Sequence, residues 1–177
     1  MQEQVILVDQ QDREIGVAEK LEAHRKGKLH RAFSVFLFNA KDEMLLQQRA
    51  AEKYHSGGLW TNTCCSHPRP GEQTEAAARR RLREEMGISC NLNKAFDFIY
   101  RAEFDNGLIE HELDHVFIGR YDGAALPDPG EVMAHRWVSI DTLKKDLAIA
   151  PENFTAWFKI AVHKVLQARS GQSPSSA

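Results

Sequence analysis

GEQTEAAARRRLREEMGI, residues Gly71 to Ile88, decides how the rest of the chain is read. Between its two glycines lie Ala, Arg, Leu and Glu, the residues that lose least on entering a helix. The stretch predicts a helix over Thr74 to Met86, with Thr74 as N-cap and Gly87 as a left-handed C-terminal cap. Its last turn is unusual. Glu84 and Glu85 stand at the negative end of the helix dipole, which disfavours each by about a few tenths of a kcal/mol. Two readings account for them. Arg80 and Arg81, four residues earlier, are in register to pair with them. Alternatively, at least one glutamate meets a hard cation, with Glu72 nearby. Mg²⁺ takes oxygen ligands and commonly joins carboxylates to phosphate oxygens.

Immediately upstream, TNTCCSHPRPGE (Thr61 to Glu72) sets two adjacent cysteines ahead of a histidine. It reads as a metal knuckle, a reactive thiol or a turn. Further out, Gln4 to Asp9, Leu29 to Asn39 and Met44 to Arg49 have strand composition, as do Phe96 to Ala102, Leu113 to Arg120 and His135 to Ile140. Val17 to Lys28 reads as a helix ending at Gly27, and Ala50 to Trp60 as a loop with paired glycines. Ser139 caps a short helix, and Pro151 to Ala168 reads as an amphipathic one. Strands and helices interleave without regular beta-alpha-beta units, so the expected class is mixed α/β, mixed sheets flanked by helices. The expected domain spans residues 1–168, and 169–177 form a disordered polar tail.

The 177 residues suit one domain with a sizeable core. A net charge of -2 provides no basic field for nucleic acid, so an anionic partner must be held by a local cluster. No apolar run reaches the ~20 residues of a membrane span, so membrane insertion is not expected. The N-terminus does not read as a signal peptide, and three cysteines are too few for a disulfide framework. A cytoplasmic location follows as the expectation, with a monomer or weak homodimer as the state.

Outside the helix, His24 and His30 bracket the start of a strand, and His67 follows the cysteines. Glu110 and Glu112 are two apart, hence on one face of a strand. Two such carboxylates repel unless a proton or cation is shared. Three imidazoles with two carboxylates would suit a transition-type divalent ion, but sequence alone does not gather them. Cys90 reads as core filler. His115, His135 and His163 read as structural or surface residues.

From Ser66 to Ile88 the chain resembles the Nudix signature, which binds a divalent cation against a diphosphate. Glu72, Arg80, Leu82, Glu84, Glu85, Gly87 and Ile88 match it. Ser66 replaces the opening glycine and Arg81 replaces a glutamate, an exchange that favours holding a diphosphate over cutting it. With WTNTCCSHP, the EHE of Glu110 to Glu112, and Trp157 in the last helix, the whole chain resembles the type 1 isopentenyl-diphosphate isomerases, a non-hydrolysing Nudix-fold family. The resemblance implies a Nudix-like fold and one metal held by His24, His30, His67, Glu110 and Glu112, whether Mn²⁺, Zn²⁺ or Mg²⁺. It implies a second cation, Mg²⁺, bound with substrate by Glu85 and the main-chain carbonyl of Cys65. Lys20, Arg49, Lys53 and Arg81 match positions that contact the diphosphate of a homoallylic or allylic substrate.

The implied reaction is a reversible 1,3-allylic proton shift between isopentenyl and dimethylallyl diphosphate. Cys65 as thiolate would be the base at C2, and something must lower its pKa. Glu112 and Tyr100 jointly would supply the proton at C4. Phe33, Trp60, Tyr100 and Trp157 are candidates for the apolar pocket, where an indole face stabilises a carbocation by about 1–2 kcal/mol when desolvated. The alternatives are a Nudix hydrolase, which would release phosphate, and a zinc-stabilised binding domain built on Cys64, Cys65 and His67.

Overall fold

The computed structural model describes residues 2–170. Their elements run β1 (Gln4–Val8), β2 (Glu14–Glu19), α1 (Lys20–Lys26), β3 (His30–Phe38), β4 (Met44–Arg49), β5 (Trp60–Thr61), β6 (Cys64–Ser66), α2 (Thr74–Met86), β7 (Leu92–Glu103), β8 (Ile109–Arg120), β9 (Val132–Val138), α3 (Ile140–Ile149) and α4 (Ala156–Ser170).

Strand β3 is the axis. It pairs in parallel with β8 from His30↔Glu112 to Phe38↔Arg120. Its other edge takes β1 at His30, β6 at Phe33 to Val35, and β4 at Phe38. β7 continues the sheet beyond β8, while β5 and β9 flank β4. A strand buried on both faces needs apolar residues at odd and even positions alike, which explains its imperfect alternation. Phe33, Val35 and Leu37 pack with Ala77, Ala78, Leu82 and Met86 of α2. Phe36 and Phe38 face the other way, toward Trp157, Phe158, Ala161 and Val165 of α4. The sheet is thus sandwiched between helices, with each buried Phe contributing about 1.5–3 kcal/mol.

Several local expectations are corrected. Val17 to Glu19 complete β2 against β1, and the helix starts only at Lys20, capped by the Glu19 carboxylate, which accepts from Leu21 N and Glu22 N. Gln73, not Thr74, holds the N-cap position of α2, with no side-chain capping bond. Gly87 does take the left-handed conformation (φ 65) expected of it. The helix read from Pro151 is broken: one 3₁₀ turn, Pro151–Asn153, gives way to extended Phe154. Phe154 bridges to Trp60, and Thr155 N donates to Trp60 O at 3.0 Å, so sheet pairing interrupts the helix. At its other end α4 runs to Ser170, past the expected boundary at Ala168, with Arg169 Nη2 2.9 Å from Asp42 Oδ2. The remainder of the expected tail, 171–177, lies outside the described residues. Among the described residues no helix is long and apolar enough to cross a membrane.

Candidate active site

Strand register assembles the first cluster. His30 lies opposite Glu112, and Glu112 opposite Tyr100, so β3, β8 and β7 contribute one residue each to a single row. The Tyr100 hydroxyl donates to Glu112 Oε2 at 2.9 Å. Glu112 Oε1 lies 3.4 Å from His30 Nε2 and 3.0 Å from His67 Nε2, which are themselves 3.3 Å apart. His67 arrives because β6 pairs with β3 and ends beside it. His24 arrives on α1, whose C-terminal turn at left-handed Gly27 sits so close to β8 that an added Cβ would lie 3.2 Å from Ile109.

Two of these rings are oriented from behind. His24 Nδ1 is 2.7 Å from Lys20 O, and His30 Nδ1 is 2.9 Å from Lys28 O. A carbonyl only accepts, so each Nδ1 carries a hydrogen, and the neutral ring presents an Nε2 lone pair to the cluster. Metal-binding histidines are characteristically held this way. Burial pushes His24 and His67 below the usual imidazole range. It would lower His30 too, but its bond with Glu112 and that carboxylate's charge raise it. Glu110 is pushed up by burial and by the Glu112 charge. Burial alone would raise Glu112, yet bonds from Glu110 and His30 hold it low.

The donor set fits a divalent cation. One atom each from His24, His30, His67 and Glu112 fall within 4.8 Å of one another, as do atoms of His24, His55 and Glu110. His24 Nε2 and Glu110 Oε2 are buried without a hydrogen-bond partner. Such atoms cost about 1–3 kcal/mol each unless something satisfies them.

The cysteine doublet divides because β6 is a strand, and neighbours in a strand face opposite ways. Cys64 is fully buried beneath α2 with Leu82 and Met86. Cys65 faces the cleft, 4.0 Å from Arg49 Nη1. The protein groups around the thiol act in opposite directions. Burial pushes Cys65 up, the Arg49 guanidinium opposes this, and the charges of Glu85, Glu110 and Glu112 add to the rise. Arg49 also lies 5.2 Å from the Trp157 ring centroid, and Trp157 Nε1 donates to Asn62 Oδ1 at 3.1 Å. The indole is thus pinned, and it already faces one cation.

Cys65, His67, Glu110 and Glu112 line a cleft of about 550 Å³, open to solvent, together with Lys20, Arg49, Lys53, Arg81, Glu85 and Trp157. Lys20, Lys53 and Arg81 are already paired. Lys20 meets Glu3 at 2.7 Å, Lys53 meets Glu131 at 2.6 Å, and Arg81 meets Glu84 and Glu85 at 2.7 Å and Glu131 at 3.1 Å. Glu85 also accepts from Gln47 Nε2 at 3.2 Å.

Other expectations fail. Glu72 does not join the cleft; Arg80 clamps both its oxygens, at 2.8 and 2.9 Å. Phe33 lies in the core under α2, and Trp60 stacks under Arg136 at 4.8 Å, so neither lines the pocket. Tyr100 is buried behind Glu112. Tyr54, His55, Glu3 and Glu131 do line the cleft and were missed. Tyr54 and His55 come from the stretch read as a loop from Ala50 to Trp60, whose lack of periodicity hides which side chains turn inward.

Residues 28–158 match the NUDIX domain family. An isopentenyl-diphosphate Delta-isomerase 2 of Aromatoleum aromaticum is 52% identical, covering 96% of this chain and 90% of the relative. An isopentenyl-diphosphate Delta-isomerase of Pectobacterium atrosepticum is 54% identical over 92% of this chain and 90% of its own. Among solved structures, a Deinococcus radiodurans protein superposes with TM-score 0.69 at 21% identity, covering 82% of this chain and 89% of that one. A MutT protein of Methanosarcina mazei does so with TM-score 0.64 at 20% identity, over 82% and 96%. At those identities the structural likeness concerns the fold alone.

Proposed function

We infer, because the chain belongs to the isopentenyl-diphosphate Delta-isomerases of the Nudix family, that its cleft moves a double bond and leaves the diphosphate intact. The reaction is the reversible isomerisation of isopentenyl diphosphate to dimethylallyl diphosphate. The observation that carries the residue assignment is that Cys65 and Glu112 face one cleft rimmed by Lys20, Arg49, Lys53 and Arg81.

The rim holds the diphosphate, since charge-assisted bonds from several donors suit its oxygens. The Glu112–Tyr100 pair carries the proton added at C4. Cys65 takes the proton from C2, so the double bond moves from C3–C4 to C2–C3. Burial favours the thiol form of Cys65, the form that returns a proton to C2 in the reverse direction. The forward direction starts from the thiolate, which Arg49 favours. Trp157, pinned by Asn62, helps keep water from the tertiary carbocation between the two transfers.

His24, His30, His67, Glu110 and Glu112 would hold one divalent metal, of a kind better suited to imidazole than Mg²⁺ is. Glu85 and the Cys65 carbonyl would hold Mg²⁺ with the substrate. When bound, the cations supply positive charge that favours the ionised forms of Glu112 and Cys65. The free cysteines support a reducing, cytoplasmic setting.

A hydrolase is disfavoured. Of the three matching Nudix glutamates only Glu85 lines the cleft, while Glu72 and Glu84 are tied to arginines. The test is incubation of metal-loaded protein with isopentenyl diphosphate in D₂O. The expected result is dimethylallyl diphosphate, deuterium in the recovered five-carbon diphosphates and no free phosphate. Phosphate release without deuterium entry would sink the reading.

A further inference from the structure

We propose that His55 is a sixth ligand of the divalent cation held by the histidine and glutamate cluster, so that this chain surrounds it with four imidazoles and two carboxylates. The inference rests on the metal centre proposed above and adds a residue that neither the signature helix nor the paired glutamates point to.

The His55 ring is fixed rather than merely nearby. It is 4% exposed and stacks on Phe104, with centroids 4.4 Å apart and planes at 10°. Tyr54 and Trp157 meet it edge-on at 4.3 and 5.8 Å. Its Nδ1 is 3.0 Å from Ser56 Oγ, and its main-chain oxygen accepts from Arg49 at 3.2 Å. Nε2, the remaining polar atom of the ring, is aimed at the cluster.

There it meets two atoms in the same condition. His55 Nε2, His24 Nε2 and Glu110 Oε2 are all buried without a hydrogen-bond partner, and they lie within 4.8 Å of one another. His55 Nε2 and Glu110 Oε2 are 3.3 Å apart. Packing against Phe104 alone would be served as well by an apolar ring, at no cost in unsatisfied nitrogen. The 3.3 Å between His55 Nε2 and Glu110 Oε2 is that of adjacent ligands on one ion. Donors about 2.1 Å from an octahedral cation stand about 3.0 Å apart when adjacent and about 4.2 Å when opposite. His30, His67 and Glu112, separated by 3.0 to 3.4 Å, form one triangular face of such an arrangement. His24 groups both with these three and with His55 and Glu110, and so links the two sets.

Two consequences follow. Four imidazoles bias the centre further toward Mn²⁺, Co²⁺ or Zn²⁺ and away from Mg²⁺. Six protein ligands would also leave no coordination position for substrate, so this ion would act on the reaction through its charge and through its ligand Glu112 rather than by binding substrate.

The experiment loads the metal-free full chain with Co²⁺, counts coordinated imidazoles by X-ray absorption and measures affinity by chelator competition. The same is done for His55→Phe, which keeps the stack on Phe104. We expect four imidazoles and the weak visible bands of six-coordination in the parent chain. In the variant we expect three imidazoles and affinity lower by about tenfold or more. Three imidazoles in the parent chain, or a variant within twofold of it with an unchanged spectrum, overturns the role of His55 and leaves the five-ligand centre standing. Failure of the parent chain to bind Co²⁺ overturns both. The imidazole count in the parent chain decides the matter even if the variant does not fold.

Discussion

The two ends of the cleft are built on opposite principles. At the histidine end, polar atoms are brought together and left unsatisfied: His24 Nε2, His55 Nε2 and Glu110 Oε2 have no partner. At the cationic rim, Lys20, Lys53 and Arg81 are already matched by Glu3, Glu131 and the α2 glutamates. The first end is organised to hold a cation. The second is organised to exchange partners, so a diphosphate must displace or share carboxylates already in place. Cys65 and Arg49 lie between, where a thiol disfavoured as an anion by burial faces a guanidinium that favours it.

The sharpest break of this comparison is at the doublet. Cys65→Ala should lower turnover by about 10³-fold or more, the scale on which proton-transfer groups act, while bound metal is unchanged. Cys64→Ala should leave kcat within a few-fold and cost about 1 kcal/mol of stability through lost core packing. Turnover and metal content measured on both variants check this. Near-normal turnover in Cys65→Ala, or an equal loss in both, breaks the assignment.

Legibility in the sequence follows the same division. The α2 helix could be read because its composition, glycine cap and arginine–glutamate spacing are local properties, and the Arg80–Glu84 and Arg81–Glu85 pairs did form. β3 could be read as a strand, but its two-sided burial appears in the sequence only as imperfect alternation. The pairing of His30 with Glu112 is set by parallel register across 82 positions of chain, and no periodicity reports that; here a family resemblance supplied what spacing did not. His55 and Glu131 escaped even that, because they lie outside regular elements, where inward orientation is decided by neighbours such as Phe104 and Lys53. The broken helix at Phe154 went unread for a related reason: its bridge to Trp60 is a tertiary contact that overrides local propensity.

The rim can be probed by removing one of its resident acids. Burial would raise Glu131, but Lys53 and Arg81 hold it below the usual carboxylate range, so it is charged when substrate arrives. Glu131→Gln removes that competing charge and leaves its backbone bonds to Ala50 and Asp128 intact. A partly exposed ion pair is worth about 0.2–1 kcal/mol, so KM for isopentenyl diphosphate should fall by about two- to fivefold with kcat little changed. A KM that rises instead means Glu131 positions Lys53 and Arg81 rather than competing for them.

The smallest effect should come from the acid outside the cleft. Glu72 is bonded by Arg80 Nε and Nη2 and by Arg69 N, and these hold its carboxyl low. A carboxyl lowered by folding adds stability that is fully present above its unfolded pKa, about 4.3. That stability is lost as pH falls through the folded value, because the unfolded chain then binds the proton first. Glu72→Gln preserves an oxygen for Arg69 N and removes only the charge. At pH 7 it should therefore destabilise by about 0.5–1 kcal/mol, seen as a lower urea midpoint with unchanged slope. The gap from the parent chain should narrow as pH drops below about 4.3, and turnover at neutral pH should be nearly unaffected. A gap constant across that range would show that Glu72 acts through shape rather than charge. A large loss of turnover would return it to the cleft from which its pairing with Arg80 excludes it.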